Sequence, residues 1–365
     1  MKTILFLANG TSIHSFKWIS FFSKKYNIFW LSTDGFEESF IKDGNIIYVD
    51  CKISRLKLLN ILFGLVKFLY LLIKFEISLI HIHYLGYHSI LASFVKKTPV
   101  FLTAWGSDIV FALNSTLKKN FLKHYLNKAK VITCDSHHMQ QKMNSIIGKE
   151  NKVNIINFGI DTSFFIKIEK NKLLINTLGT SSNNIIISTR NHEDVYDIKT
   201  LISSINLVKK EFPSVLCIIA GTGSKTHELE RQVEEDNLVK NVKFVGRLSN
   251  ENIRDYLSIS SLYVSTSLSD GGIAASTAEA MSSEVPCIVT DVADNSKWVI
   301  NLHSGLLVEP GNSIQLSSAI KIIFSDSSFG QQIAKNARKI IIDNNDYENE
   351  MDKMNNLYQS ILNEI

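Results

Sequence analysis

Proline and cysteine are both scarce in this chain, with 4 of each in 365 residues. Charged residues make up only 20 %, while hydrophobic residues make up 45 %. A chain so rich in apolar residues can bury a large core, so disorder and low-complexity structure are excluded for most of it. At a prior of roughly 150 residues per domain, the length predicts two domains.

The few cysteines are too far apart to form a metal or redox motif. They are Cys51, Cys134, Cys217 and Cys287. Isolated cysteines, mostly in apolar segments, are typical of buried thiols in a reducing compartment rather than of a disulfide framework. The first ten residues contain a short apolar run of about six, below the roughly 7–15 of a signal-peptide core. We therefore expect a first buried strand and a cytoplasmic protein.

A strong charge excess is also missing. The formal net charge is +4 and the sequence pI about 8.6. This bias is too small to indicate nucleic-acid binding, and we expect none. It does suit an anionic substrate or the anionic inner surface of a membrane. The mean hydropathy of +0.06 leaves membrane contact open.

The longest apolar stretch does not predict a membrane-spanning helix. Residues 58–73 read LLNILFGLVKFLYLLI, and Lys67 interrupts them, so there is no uncharged run of about 18 residues. On a helical wheel one arc of about 100° holds the polar and small positions Lys57, Asn60, Gly64, Lys67 and Lys74. A wide apolar face beside such an edge indicates a helix in a membrane interface. The alternative is a buried helix with one wet edge, and the sequence favours neither.

Short apolar runs alternate with helical patterns along the chain, which is typical of buried parallel strands. We predict strands at 2–8, 27–32, 46–50, 78–83, 99–103, 130–134, 153–156, 184–188, 215–220, 242–245, 262–265, 287–290 and 306–308. Two such series predict an α/β chain of two Rossmann-like, doubly wound domains that face each other across a cleft. We place residues 1–165 in the first domain and 166–346 in the second, with a linker candidate at 166–183. A last helix at 347–365 is expected to pack back onto the first domain.

The segment after the predicted strand at 262–265 carries the sharpest binding pattern. A Gly271-Gly272 turn and several small residues lead into a helix whose first turn holds Ser276 and Thr277. Glycines let a backbone approach a ligand closely, and the unpaired amides of a helix start attract anions. One turn further on, Glu279 can accept from ribose hydroxyls. The pattern indicates a phosphate site; a plain capped helix after a turn is the alternative.

Further motifs stand around this segment in a specific order. They are Asn157-Phe158-Gly159-Ile160-Asp161, Gly221-Thr222-Gly223, Phe244-Val245-Gly246-Arg247, Glu279-Ala280-Met281 with Val285-Pro286-Cys287, and Gly305-Leu306-Leu307-Val308 with Pro310-Gly311. Together they resemble the retaining glycosyltransferases of the GT-B fold, family four (glycosyl transferases group 1). The resemblance spans nearly the whole chain. It implies the GT-B fold, a nucleotide-sugar on the C-terminal domain and the acceptor on the N-terminal domain.

The resemblance implies roles for single residues. Glu279 matches the glutamate that holds the nucleotide ribose, and Arg190 matches a cation at the diphosphate. The family's first glutamate would fall on Gly271, so Asp270 is the candidate for the donor sugar. We expect the donor to be surrounded by Gly10, Gly221, Gly271, Gly272, Ser276 and Thr277.

A second departure concerns the diphosphate, because the family's lysine falls near Val195 or Tyr196 and is missing here. No Asp-any-Asp metal motif is present either. The leaving diphosphate still needs stabilisation, which leaves Arg190 and the helix start. The resemblance therefore implies an enzyme without cofactor or metal.

The N-terminal half supplies candidates for the acceptor side. His14 opens a predicted helix and is a candidate catalytic residue, with local packing as the alternative. His83 shares a strand face with His81; no third ligand is evident, so we expect an acceptor-side position rather than a metal site. Trp105 stands where the family often has a histidine, and it can stack on a sugar. Asp108 is the nearby acid, either catalytic or a helix cap.

The combined prediction is a hexosyltransferase-type enzyme that moves a sugar from a nucleotide-sugar to a glycan acceptor. We interpret the acceptor as lipid-linked, in surface polysaccharide or oligosaccharide biosynthesis at the cytoplasmic face of the membrane. A non-catalytic GT-B partner and a sugar-nucleotide epimerase are the alternatives. A dehydrogenase is disfavoured, because Gly221 and Gly223 lack the third glycine of a dinucleotide-binding motif.

Overall fold

The computed structural model describes residues 1–41, 45–95, 97–105, 109, 116–148 and 153–364. The chain divides into two α/β units. The first contains Met1–Asn157 together with Glu350–Ile365, and the second contains Phe158–Asn349. The end of the chain thus returns to the first unit after the second has been completed.

A sheet of parallel strands forms the centre of the first unit. Its strands are β1 (Thr3–Ala8), β2 (Asn27–Ser32), β3 (Ile46–Asp50), β4 (Leu79–His83), β5 (Val100–Thr103), β6 (Val131–Cys134) and β7 (Val153–Ile155), in the order β3-β2-β1-β4-β5-β6-β7. The described helices of this unit are Ile13–Ser23, Lys57–Lys74, Thr116–Lys128, His137–Ile147 and Tyr347–Leu362, with 3₁₀ segments at Glu38–Phe40 and Tyr87–Phe94.

The second unit is built in the same way. Its strands are β8 (Ile185–Ser188), β9 (Leu216–Ala220), β10 (Val242–Gly246), β11 (Leu262–Ser265), β12 (Cys287–Thr290) and β13 (Leu306–Val308), in the order β10-β9-β8-β11-β12-β13. Its helices are Lys172–Leu178, Ile198–Val208, Thr226–Glu235, Asn250–Ile259, Ala275–Ser282, Asn295–Trp298, Ser313–Ser325 and Ser327–Asn345, with a 3₁₀ segment at Asp194–Tyr196. This is the strand order of a Rossmann sheet.

Burial on both faces explains why the strands read as apolar runs. β1 has the sequence TILFLA and β8 has IIIS, with little polar alternation. Leu5 and Leu7 of β1 belong to one core layer, while Phe6 points to the opposite face and contacts Phe22 and His81. Helices cover both sides of such a sheet, so most positions of the central strands are buried, while the edge strands β3 and β10 are less so. The predicted parallel strands are confirmed.

A buried aromatic residue of the helix Tyr347–Leu362 packs against the first unit. The Tyr358 ring is fully buried, and its centroid lies 4.9 Å from that of Phe101. Its hydroxyl hydrogen-bonds Nδ1 of His81, whose Nε2 lies 2.8 Å from Oγ1 of Thr103. These contacts hold the last helix against β4 and β5.

The Lys57–Lys74 helix is oriented differently from the buried-helix interpretation of its sequence. That interpretation put the arc with Asn60 and Gly64 toward water. Instead, Asn60 and Gly64 are buried together with Phe68 and Leu71, and much of the apolar side is exposed. Within the described residues, no helix is both long enough and apolar enough to cross a membrane.

Two short segments are also helical. Tyr87–Phe94 is a 3₁₀ segment, after a turn in which Tyr84 has a φ of 79°. The linker candidate at 166–183 contains the helix Lys172–Leu178, whose first turn is capped by the side chain of Asn171.

Candidate active site

Strand order reverses between β8 and β11, and ligands of open parallel sheets bind beyond the carboxyl ends of strands at such a point. Arg190 follows β8 and Asp270 follows β11. Arg190 Nη2 lies 2.5 Å from Asp270 Oδ1, and Nη1 lies 3.4 Å from Ser276 Oγ. Both charged side chains are largely buried, at 11 % and 8 % exposure. The structure thus brings three predicted site residues together.

Three further residues, absent from our predictions, hold this group in place. The Arg190 guanidinium lies 4.4 Å from the ring centre of Tyr196, a cation–π contact. Asn295 Nδ2 lies 3.4 Å from Asp270 Oδ2, and Tyr263 donates to Ser276 Oγ at 2.8 Å. Burial raises the pKa of Tyr263, which keeps this hydroxyl protonated as a donor.

Only one of these three residues had a signal in the sequence. Asn295 follows β12 and so lies at the edge where ligands bind. Tyr263 lies inside an apolar strand, and Tyr196 was considered only as the place of a missing lysine. Their contacts with Arg190 and Ser276 depend on neighbouring strands.

Several buried polar atoms at the end of β8 have no hydrogen-bond partner within the described part of the chain. They are Ser188 Oγ, Thr189 Oγ1, Arg190 Nε and His192 Nε2. Buried polar atoms without a partner are costly and rare in folded proteins. A run of them at a strand end beside Arg190 is the arrangement expected where a polar ligand binds.

The helix Ala275–Ser282 begins beside this group. Its N-cap is Ala274, and no side chain caps its first turn, so its first amides remain available to an anion. Thr277 is buried, while Ser276 and Glu279 are partly exposed. The predicted turn has Gly271 exposed and Gly272 buried.

Gly221 and Gly10 are required for close backbone contacts. Gly221 has a φ of 115°, and a Cβ there would lie 2.6 Å from the carbonyl oxygen of Arg190. A Cβ on Gly10 would lie 2.1 Å from the carbonyl oxygen of Gly35. Gly221 therefore packs the loop after β9 against the loop that carries Arg190, a role that does not require direct contact with a donor.

In the first unit, the structure brings together three predicted residues at the carboxyl ends of β1, β4 and β5. The ring of Trp105 lies 5.1 Å from that of His14 and 4.8 Å from that of His83. Trp18, which we did not predict, lies 4.8 Å from His83. Nδ1 of His83 lies 3.3 Å from Ser15 Oγ, while its buried Nε2 has no hydrogen-bond partner among the residues described.

Both histidines of this cluster favour the neutral state. Desolvation lowers the pKa of His14, although the residue as a whole is exposed, and the charge of Lys17 lowers it further. Burial lowers the pKa of His83 well below 6.5, and neighbouring histidines add to this. Neutral rings can accept a proton or a hydrogen bond from a hydroxyl. The candidate Asp108 lies outside the described residues. Among those residues, no three His, Cys, Asp or Glu side chains form a cluster that could hold a metal ion.

Two family models match this chain and together span most of it. The model described as "Glycosyl transferases group 1" matches residues 171–340, which contain the Arg190 site. The model described as "Glycosyl transferase 4-like" matches residues 3–136. The chain belongs to the glycosyltransferases. The glycosyltransferase has its group 1 match in the second unit and its 4-like match in the first.

Curated relatives carry glycosyltransferase names, and solved structures share the fold. The glycosyltransferase is 24 % identical to an uncharacterized glycosyltransferase of Methanocaldococcus jannaschii, over 72 % of this chain and 70 % of that protein. It is 26 % identical to an Escherichia coli UDP-Gal:alpha-D-GlcNAc-diphosphoundecaprenol alpha-1,3-galactosyltransferase, over 57 % of this chain and 54 % of that one. The Anabaena protein HepE in complex with UDP has a TM-score of 0.81 at 18 % identity, covering 99 % of this chain and 100 % of that one. The predicted GT-B fold is confirmed.

Proposed function

We propose that this glycosyltransferase moves a sugar from a UDP-sugar to a lipid-linked glycan acceptor, with retention at the anomeric carbon. The observation that carries the proposal is the Arg190 group, with its buried polar atoms lacking partners at the end of β8. The uridine nucleotide and the diphospholipid acceptor are suggested by the names of the E. coli and Anabaena proteins. Surface polysaccharide or oligosaccharide biosynthesis is the process that such a reaction serves, and it would place the enzyme at the cytoplasmic face of the membrane.

The donor site follows from the charges that the reaction creates. Cleavage of the sugar–phosphate bond develops negative charge on the leaving diphosphate, which a fixed positive potential stabilises. Arg190 supplies a cation, and the uncapped start of Ala275–Ser282 supplies amides and the positive end of a helix dipole. We assign the ribose to Glu279 and propose that transfer needs no metal ion.

On the acceptor side we propose the His14, His83 and Trp105 cluster. Trp105 offers an aromatic face for a sugar ring, and neutral His14 can accept a hydrogen bond or proton from an acceptor hydroxyl. The first unit would then bind the acceptor and the second unit the donor.

Donor binding is tested by the thermal shift of the purified chain with UDP, GDP and their sugars. We expect UDP compounds to raise the unfolding temperature by mass action. Glu279→Ala should weaken UDP affinity at least about tenfold and therefore give a smaller temperature shift. Glu234→Ala, an exposed glutamate of the helix Thr226–Glu235, is the matched control and should leave the shift unchanged. Equal UDP binding by Glu279→Ala would refute the ribose assignment.

Turnover tests the remaining parts of the proposal. UDP-sugar consumption with a polyprenyl-diphosphate glycan should persist in EDTA, and the anomeric configuration of the product should match that of the donor by NMR coupling constants. Loss of turnover in EDTA would contradict metal independence. UDP binding without turnover of any donor would support the non-catalytic alternative. That alternative is favoured by Gly271, which stands where the family has its first glutamate.

A further inference from the structure

The outward side of the Lys57–Lys74 helix is unusually apolar for a protein surface. In the described chain, ten exposed large apolar side chains fall between residues 53 and 75: Ile53, Leu56, Leu58, Leu59, Leu62, Val66, Leu69, Tyr70, Ile73 and Phe75. Seven of these lie on the helix itself, from Leu58 to Ile73, and we call those seven the apolar face. Ile73 is 87 % exposed and Leu58 is 67 % exposed. Contiguous exposed apolar patches of this kind mark interaction surfaces.

The inward side of the helix explains why the apolar face points outward. Asn60 is buried, and its Oδ1 accepts from the amides of Ile53 and Ser54 at 3.0 and 2.9 Å. Its Nδ2 donates to the carbonyl oxygens of Thr33 and Ser54 at 3.2 and 3.0 Å. Rotating the helix to bury the apolar face would break all four hydrogen bonds and leave a polar group unsatisfied.

Close packing at Gly64 holds the helix in the same orientation. A Cβ added there would lie 3.4 Å from Thr33 Cγ2 and 3.7 Å from Cys51 Cβ. A Cβ at these distances makes ordinary van der Waals contacts, so the neighbours already fill the space beside Gly64 and leave little room for a longer side chain of the apolar face. The exposure of the apolar face is therefore imposed by the fold.

The charged residues within the segment that carries the apolar face all have one sign. Between residues 51 and 75 the sequence contains five cations and no acidic residue; the cations are Lys52, Arg55, Lys57, Lys67 and Lys74. Lys67 and Lys74 lie along the helix with their ammonium groups 5.4 Å from the Phe63 ring and 5.2 Å from the Tyr70 ring. Their aliphatic stems can cover apolar surface while the charged ends reach the headgroup level.

We propose that the apolar face inserts into the interfacial region of an anionic lipid bilayer, with the flanking cations bound to lipid phosphates. An amphipathic helix in this position lies parallel to the membrane, with its apolar side about 5–10 Å into the boundary between headgroups and acyl chains. A second copy of this chain fits the surface less well, because a two-fold contact would set the same cations against each other. The anionic bilayer supplies the complementary charge.

This surface is separate from the donor site, so its test has its own readout. Flotation of the purified chain with vesicles of phosphatidylcholine plus phosphatidylglycerol should carry the protein upward, and added salt should weaken binding. Vesicles of phosphatidylcholine alone should bind less. Lys67→Gln with Lys74→Gln should weaken binding to anionic vesicles by about fivefold for each lysine removed.

Insertion is tested by replacing apolar residues of the face with serine, beside a matched control. Leu62→Ser with Ile73→Ser, at positions 52 % and 87 % exposed, should reduce vesicle binding at least about tenfold. Ile314→Ser with Ile322→Ser, at 71 % and 48 % exposed in the second unit, should leave it unchanged. Both double variants should keep the wild-type unfolding temperature and UDP shift, because all four side chains are exposed.

A fluorescent label reports the depth directly. The four native cysteines are buried, so a thiol-reactive dye should label the Leu62→Cys variant selectively. Its emission should shift to the blue on anionic vesicles and be quenched by spin-labelled acyl chains. Wild-type binding by the Leu62→Ser, Ile73→Ser variant, or unshifted emission of the dye, would overturn the proposal. A dimer in solution that this variant abolishes, without vesicle binding, would assign the face to a second copy.

Discussion

At the scale of single residues, the Arg190–Asp270 pair decides how the donor site behaves when it is empty. The carboxylate neutralises the guanidinium that we assign to the diphosphate, and both groups are largely buried. A donor must therefore compete with Asp270 for Arg190, or Asp270 must turn toward the sugar when the nucleotide arrives. The contact gives Asp270 a part in the site that its place in the family motif alone did not suggest.

The first prediction separates these two roles of Asp270. Asp270→Asn keeps the shape of the side chain but removes the competing charge, so UDP should bind about threefold to tenfold more tightly. Sugar transfer should nevertheless slow at least about tenfold if the carboxylate acts on the donor sugar. Calorimetry with UDP and single-turnover rates measure the two effects. Asp343→Asn, exposed on the helix Ser327–Asn345, is the control; weaker UDP binding by Asp270→Asn would contradict the competition.

At the scale of elements, the loops after β8 and β9 work as one packed unit. Gly221 presses against the backbone of Arg190, and a Cβ on Gly223 would lie 2.3 Å from the carbonyl oxygen of His192. Neither glycine needs to touch the donor for its substitution to damage donor binding. The positions of the glycines were readable in the sequence, whereas the surface that they approach was not.

The second prediction uses this contact. Gly221→Ala should cost about 1–3 kcal/mol of unfolding free energy and displace Arg190, because it adds a clash to an unfavourable φ. UDP affinity should fall at least about tenfold. Gly311→Ala also places a side chain at a positive φ, of 72°, but with nothing within 4 Å of the added Cβ. Calorimetry should show that Gly311→Ala loses stability but keeps the wild-type UDP affinity. Equal UDP affinities for the two variants would refute the packing argument.

At the scale of the whole molecule, the first unit depends on the end of the chain. Tyr358 is fully buried against β4 and β5, although more than 200 residues separate it from those strands. Chain order and spatial order therefore differ, and changes in the last helix should act on the first unit.

The third prediction tests this dependence. Tyr358→Ala should cost about 3–5 kcal/mol, because it leaves a large cavity and removes the hydrogen bond to His81. Three of the four tryptophans lie in the first unit, at 18, 30 and 105. Tryptophan fluorescence should therefore show the first unit unfolding before the far-UV circular dichroism transition of the whole chain is complete. Tyr70→Ala, at a position 49 % exposed, should change stability by less than about 0.5 kcal/mol. Unfolding of Tyr358→Ala at the wild-type midpoint would contradict the prediction.

The fourth prediction concerns acid. Burial lowers the pKa of His81 to about 3 from 6.5, so the folded state keeps it neutral while the unfolded state takes up a proton below about pH 6.5. The free energy of unfolding is therefore highest above pH 6.5 and decreases as the pH falls toward 3. Protonation of His81 in the unfolded state should by itself lower the free energy of unfolding by about 2 kcal/mol at pH 5.

Buried His83 and His88 also have lowered pKa values and should add to this loss. Urea unfolding at pH 7.5 and pH 5 measures the effect. His81→Gln should be less stable at pH 7.5 but should lose less stability on acidification. An equal loss in that variant would show that other groups cause the acid sensitivity.

The sequence by itself determined the strands, their parallel arrangement, the family and the loops that carry the donor residues. These features follow from local apolar runs and turn residues, which depend little on distant parts of the chain. Arg190, Asp270 and Ser276 were all named from motifs at the ends of predicted strands. The tertiary structure decided what those residues contact, since the pairing of Arg190 with Asp270 joins loops that are 80 residues apart.

The orientation of the Lys57–Lys74 helix is the clearest case of a feature that the sequence suggests and the tertiary structure decides. Its sequence contains an apolar face and a polar edge, and the usual rule for amphipathic helices predicts that the polar edge faces solvent. In the fold, the part of that edge with Asn60 and Gly64 faces inward, because Asn60 completes four hydrogen bonds and Gly64 packs beside Thr33 and Cys51. Thr33 lies in the loop after β2, far from the helix in the sequence, so only the assembled structure could select the side that faces solvent.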